Sequence, residues 1–169
     1  MPDLSLLASI EIPVAWIVVP LLLAVILYDL RFMRIPNALV VLFGAVALAS
    51  VPFQIGLEEL LWRLGIAAVV FCGGLILYAR RMMGAGDVKL LSTLMLLIPV
   101  EGVQAFSMML SLSILVGVGT WMLVRQIRAG RPTRWRSLQK QGRFPLGLSI
   151  GSAGLVFVLF GPEALRGMI

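Results

Sequence analysis

Residues 60–89 read LLWRLGIAAVVFCGGLILYARRMMGAGDVK. From Leu60 to Ala79 the stretch holds a single charge, Arg63, and about 20 predominantly apolar residues are what an α-helix needs to cross a bilayer. Two arginines, Arg80 and Arg81, follow at its end, then Gly84-Ala85-Gly86-Asp87, and then a second apolar run. A membrane-length helix, a basic edge and a carboxylate entering the next helix set the reading for the rest of the chain.

Outward from this stretch, apolar runs recur at Ile12 to Tyr28, Ala38 to Phe53, Val88 to Val100, Val103 to Val124 and Phe144 to Gly161. The run from Val88 is short for a span; it either begins earlier, through Gly84 and Gly86, or enters a thinned or protein-lined region where irregular backbone is tolerated. Charged residues make up 13% of the chain and hydrophobic residues 60%, with mean hydropathy +1.04, against about 25% charged residues in a soluble domain. Composition therefore excludes an ordinary soluble protein. The expected fold is all-α: one integral membrane domain over residues 1–169 with six transmembrane helices. Gly56, Gly65, Gly73, Gly74, Gly117 and Gly119 are expected at close helix contacts. The opening MPDLSLLASIEIP has two acids and no Lys or Arg, unlike the basic start of a secretory signal, so the first span is expected to remain in the mature protein.

Basic residues concentrate in cytoplasmic loops. The first connector carries Arg31 and Arg34, the third Arg80, Arg81 and Lys89, and the fifth seven residues from Arg125 to Arg143, which is twelve of the fourteen Lys and Arg. The other side has Arg63 and Arg166 with the acids Asp3, Glu11, Glu58, Glu59, Glu101 and Glu163. Both termini are thus expected outside the cytoplasm. The fifth connector's charge is accounted for by this bias and by anionic lipid headgroups rather than by nucleic acid. Tyr28, Tyr78, Trp121 and Trp62 fit interfacial anchors.

The chain has no histidine and one cysteine, Cys72. Ser-His and Cys-His nucleophile pairs, H-E-x-x-H zinc hydrolysis, disulfides and paired-cysteine metal sites are all eliminated. Cys72, in mid-span with no base, reads as core filler. Hydrolytic chemistry would have to come from carboxylates, or from a lysine with a serine, such as Lys89 and Ser92, three apart on one helix. No metal or organic cofactor is required.

Six of the eight acids fit solvated outer positions. Asp29 and Asp87 do not: each lies at the cytoplasmic edge of a span, where a carboxylate is costly and marks function by default. Asp29 closes the first span before Arg31, Arg34, Ile35-Pro36-Asn37, a turn in which Pro36 disfavours helix for its predecessor and Asn37 suits a helix cap. The plain alternative is a helical hairpin with Asp29 paired to Arg31 or Arg34. Gly84 and Gly86 allow close backbone approach, to a substrate strand or to a neighbouring helix. They also bring Asp87 to a helix start, whose positive end favours a carboxylate.

Asp29 with Ile35-Pro36-Asn37, then Gly84-x-Gly86-Asp87-x-Lys89, resembles the type IV prepilin peptidase family, G-x-G-D membrane aspartyl proteases that share this motif with presenilins. In length and order the chain is similar to the short members associated with tight-adherence (Flp) pili. The resemblance implies cleavage of a prepilin leader at the cytoplasmic face of a prokaryotic inner membrane, with Asp29 and Asp87 catalytic and with Gly84, Gly86, Lys89, Pro36 and Asn37 positioning substrate. Larger members also methylate the new amino terminus and carry a cytoplasmic insert with paired cysteines; neither the cysteines nor the room exists here. The family's late proline-glycine element is matched loosely by Phe144-Pro145-Leu146-Gly147, with Leu148 where a second proline is often found, so Pro145 and Gly147 join the positioning residues. The implied partners are a prepilin leader with its hydrophobic helix and membrane lipid. Two other classes use the same residues differently: a transporter or proton channel with relay carboxylates, and a non-catalytic pilus or secretion assembly partner.

Overall fold

A computed structural model describes residues 12–127 and 144–166. Asp3, Glu11 and the basic residues from Arg128 to Arg143 lie outside them, as do the side chains of Glu163 and Arg166. The described residues form six α-helices and no strand: α1 Ile12–Phe32, α2 Asn37–Gln54, α3 Leu57–Ala79, α4 Ala85–Leu97, α5 Val103–Ile127 and α6 Leu146–Arg166. These are the six apolar runs of the sequence, each extended by a turn or trimmed by a few residues. Leu57–Ala79 and Val100–Ile127 are long and apolar enough to cross a membrane.

Local chemistry sets the boundaries. Glu58 and Glu59 occupy the first turn of α3, where carboxylates offset the helix dipole. Its other end closes with the Met82 amide donating to Leu77 O and the Arg81 amide to Tyr78 O, with Arg81 in the left-handed region at φ 60°. That bond pattern is a Schellman cap, built on arginine where glycine is usual. α4 starts earlier than its apolar run, at Ala85, and ends at Leu97 because Ile98 precedes Pro99 and is extended (φ −88°, ψ 125°). A 3-10 turn, Val100–Gly102, leads into α5.

α4 is the hub, packing on α2, α3 and α6, while α1 lies against α6 and α2, and α5 against α6. The core gathers Leu22 and Val25 of α1, Phe43 of α2, Leu90 and Leu94 of α4, and Ile150 of α6. α3 and α5 turn most of their surface outward: Val69, Ile76, Leu112 and Leu115 are all more than half exposed. Faces so apolar are compatible with lipid and not with water. α5 and α6 are also joined by hydroxyls, Ser113 Oγ lying 2.6 Å from Ser152 Oγ and donating to Ser149 O, the polar glue of helices in an apolar medium.

Three expectations are corrected. A Cβ on Gly74 would lie 2.6 Å from Val88, and one on Gly117 2.8 Å from Ser149, so these are contact glycines, but Gly56, Gly65, Gly73 and Gly119 face open space. Close approaches occur instead at Gly102, Gly151 and Gly154. Cys72 is exposed, not core filler. Glu59 and Arg63 are not solvated outer charges: Arg63, 5% exposed, donates through Nε to Glu59 Oε1 at 2.8 Å and through Nη1 to Leu96 O at 3.4 Å. Glu59 Oε1 also accepts the Val100 amide at 3.1 Å. The cluster ties the start of α3 to the end of α4.

Candidate active site

α1 runs one turn past its apolar stretch, so Asp29 falls within its last turn, whose end is closed by the Met33 amide on Asp29 O at 2.9 Å. The side chain is buried, 6% exposed, and takes no ion pair with Arg31 or Arg34 among the described residues; its Oδ2 accepts the Leu148 amide of α6 at 3.2 Å. Asp87 is the third residue of α4 and half-buried. Its Oδ2 accepts the Gly84 amide at 3.2 Å, the carboxylate half of a capping box. A Cβ on Gly84 would lie 2.7 Å from that oxygen, so the glycine makes room for the cap.

The two sequence motifs meet. A Cβ on Gly86 would come within 3.1 Å of Ile35 Cβ and 3.5 Å of Ile35 O, so this glycine leaves room for the 35–37 turn. Lys89 Nζ donates to Asn37 Oδ1 at 3.3 Å. Asn37 is the first residue of α2 rather than its cap, and its side chain serves this tie. Pro36 shapes the turn between the two contacts. The ties hold the end of α1 against the start of α4, and Gly74 against Val88 fixes α4 from the other side. Lys89 and Ser92 do not form a pair, because Ser92 Oγ donates to Val88 O at 2.8 Å.

Asp29 and Asp87 line one cavity of about 450 Å³, together with Met33, Arg81, Met82, Met83, Gly84, Phe144 and Leu146. Met33 (φ 52°) and Arg81 (φ 60°) are the non-glycine residues of the described chain with positive φ, and both are on this wall. Two carboxylates in a partly enclosed site beside apolar walls can share a proton, and three methionines give a wall that adapts to varied side chains. Pro145 is fully buried and Gly147 abuts Asp29, a Cβ there falling 2.8 Å from its Oδ2. The structure thus brings Gly147 to a carboxylate, while Pro145 is buried behind Phe144 and Leu146, which line the cavity.

Sequence reasoning missed Arg81, the methionines and the Leu148 amide. Met82 and Met83 flank the G-x-G-D string and could have been found by adjacency; a backbone amide 119 residues from its acceptor leaves no mark in the sequence.

No curated protein and no solved structure gives a significant match to the chain. A family model does: the type IV leader peptidase family matches residues 16–122, a span holding Asp29, the 35–37 turn and Asp87 and ending before α6. With well over half of its residues matched, the chain belongs to the type IV leader peptidase family and is a membrane-associated protease of the leader-peptidase type.

Proposed function

We propose that this protein is an intramembrane aspartyl endopeptidase that removes the leader of type IV prepilin-like substrates at the cytoplasmic membrane face, with Asp29 and Asp87 as its catalytic pair. The observation that carries the reading is the cavity they share, in a chain of this family without histidine. Two close carboxylates away from bulk water hold one proton between them. The ionised member takes a proton from a water attacking the scissile carbonyl. The protonated member hydrogen-bonds the carbonyl oxygen and then protonates the leaving amine. Gly84 and Gly86 hold Asp87 and the turn, and the Lys89–Asn37 tie keeps α2 in register with α4.

The topology proposed with it has six spans, both termini outside and the cavity opening to the cytoplasm of a prokaryotic inner membrane. The basic fifth connector rests on anionic headgroups. Supporting it is the twelve-to-two division of basic residues between the two sides. In a Cys72→Ser background, Arg34→Cys is expected to label with an impermeant maleimide only from the cytoplasmic side. Labelling from outside would overturn both the topology and cytoplasmic cleavage.

The direct test is the purified protein with a prepilin-type peptide bearing its hydrophobic helix. Release of the leader is expected. Proton or ion flux in liposomes without release would favour a transporter, and neither activity an assembly role. Mass spectrometry of pilin matured by this enzyme alone should show an unmethylated amino terminus, because the paired-cysteine insert of the methylating members is missing. A methylated terminus would refute that part.

A further inference from the structure

Asp29 is gripped from α6, outside the stretch matched by the family. The Leu148 amide donates to its Oδ2 at 3.2 Å, and a Cβ at Gly147 would sit 2.8 Å from Oδ2, 2.9 Å from Cγ and 3.1 Å from Cβ of the same side chain. Distances under 3.0 Å force something to move, and here the obstructing atoms belong to a buried carboxylate rather than to the free end of a flexible chain. The α6 start is itself anchored without help from Asp29. Pro145 is fully buried. The Phe144 ring packs edge-on against Trp121, centroids 6.0 Å apart, and a Cβ on Gly117 would lie 3.1 Å from its Cζ. One turn further, Gly151 lets α6 close onto α1, where a Cβ would meet Ile26 at 2.6 Å and Leu22 O at 3.3 Å.

We propose that the first turn of α6 is the positioning element for Asp29: Gly147 leaves the space its carboxylate occupies, and the Leu148 amide fixes that carboxylate's orientation toward the cavity. The proposal rests on the reading of Asp29 as catalytic. An N–H aimed at a carboxylate favours its ionised form and one rotamer, and the dipole of the helix start acts in the same sense. Neither residue touches the substrate in this role. What they govern is how often Asp29 is in the geometry and charge state that proton transfer needs.

The Leu148 donor can be removed by substitution, since Leu148 is the third residue of α6 and proline is tolerated in a first turn. With purified enzyme and a prepilin-type peptide, kcat, KM and the pH profile are measured for Leu148→Ala, Leu148→Pro, Gly147→Ala, Gly102→Ala and Asp29→Asn. Leu148→Ala keeps the amide and is expected within about threefold of wild type. Leu148→Pro is expected to lower kcat about tenfold with KM nearly unchanged, and to move the acidic limb of the profile to higher pH, because the ionised carboxylate has lost a donor. Gly147→Ala should lower kcat further with the same displacement. Gly102→Ala presses on Phe157, where a Cβ would lie 2.8 Å from the ring, about 15 Å along α6 from Gly147, so it should lower the thermal midpoint and leave the profile where it was. If Gly147→Ala does not fold, the proline and alanine variants at 148 decide. Wild-type kcat and an unmoved profile for Leu148→Pro, with Asp29→Asn inactive, would overturn the positioning role and leave the catalytic pair standing. Losses that only track the folded fraction would overturn it equally. An active Asp29→Asn enzyme would instead overturn the reading on which the proposal rests.

Discussion

Asp29→Asn and Asp87→Asn are each expected to lower leader cleavage by on the order of 10⁴-fold, and the double variant to be little worse than either, because groups that act as a unit are non-additive. The fold should survive. An asparagine carbonyl can still accept the Leu148 amide at position 29 and the Gly84 amide at position 87, and an uncharged amide is easier to hold near lipid than a carboxylate. Lost activity would then be chemical, not structural. The wild-type rate should show two apparent pKa values belonging to the pair, falling at high pH when the shared proton leaves and at low pH when the second carboxylate is protonated. The controls are Glu58→Gln and Glu101→Gln, exposed acids that should cleave like wild type. Substantial cleavage by either single Asn variant, with expression matched, would sink the aspartyl mechanism.

The second large effect is on stability. Glu59→Ala leaves Arg63 buried with the Leu96 carbonyl as its acceptor and strips the Val100 amide of its partner. Breaking a fully buried pair from one side costs about 3 kcal/mol; with the Glu59 side chain 33% exposed the loss should be smaller, and the thermal midpoint should drop by a few degrees. Glu59→Gln keeps an acceptor and should lose less. Pairing Glu59→Ala with Arg63→Met removes the stranded charge and should recover much of the loss. The cluster is at the opposite end of α4 from Asp87, about 15 Å away along the helix, so cleavage per folded molecule should be unchanged. A Glu59→Ala protein as stable as wild type would mean that Arg63 finds water or headgroup phosphate instead.

How much of this was legible depended on whether a residue's neighbours were other protein or lipid. The six helices were readable because length and hydropathy decide them. That Asp29 and Asp87 line one site is readable as an expectation, from two isolated carboxylates facing one side, but the contacts of the 35–37 turn with Gly86 and Lys89 are not. Which face of α3 or α5 meets protein was not: lipid is as apolar as leucine, so the polar-apolar contrast that marks a buried face in water is missing. Hence Gly65 and Gly73, expected at helix contacts, face open space while Gly74 meets Val88, and Cys72, expected in the core, is exposed. Glu59 and Arg63, spaced i, i+4, carried their pairing in the sequence, but counting charges by side obscured it. The grip of α6 on Asp29 runs through a main-chain amide and a missing Cβ, neither of which a side-chain pattern reveals.

The brevity of α4 reaches beyond the protein. Its 13 residues rise about 20 Å, against ~30 Å of hydrocarbon in a typical membrane, whereas the 23 residues of its neighbour α3 rise about 35 Å. On the six-span reading, with the Pro99 end at the outer boundary, Asp87 lies roughly 10 Å below the inner one. The helices around it satisfy the surrounding acyl chains only by tilting or by pulling the two leaflets together, the adjustments of hydrophobic mismatch. Longer acyl chains would raise the rim of the cavity away from cytoplasmic water and shorter ones would lower it. On that reading, the lipid composition of the host membrane would set how far a leader must descend before it met the carboxylates.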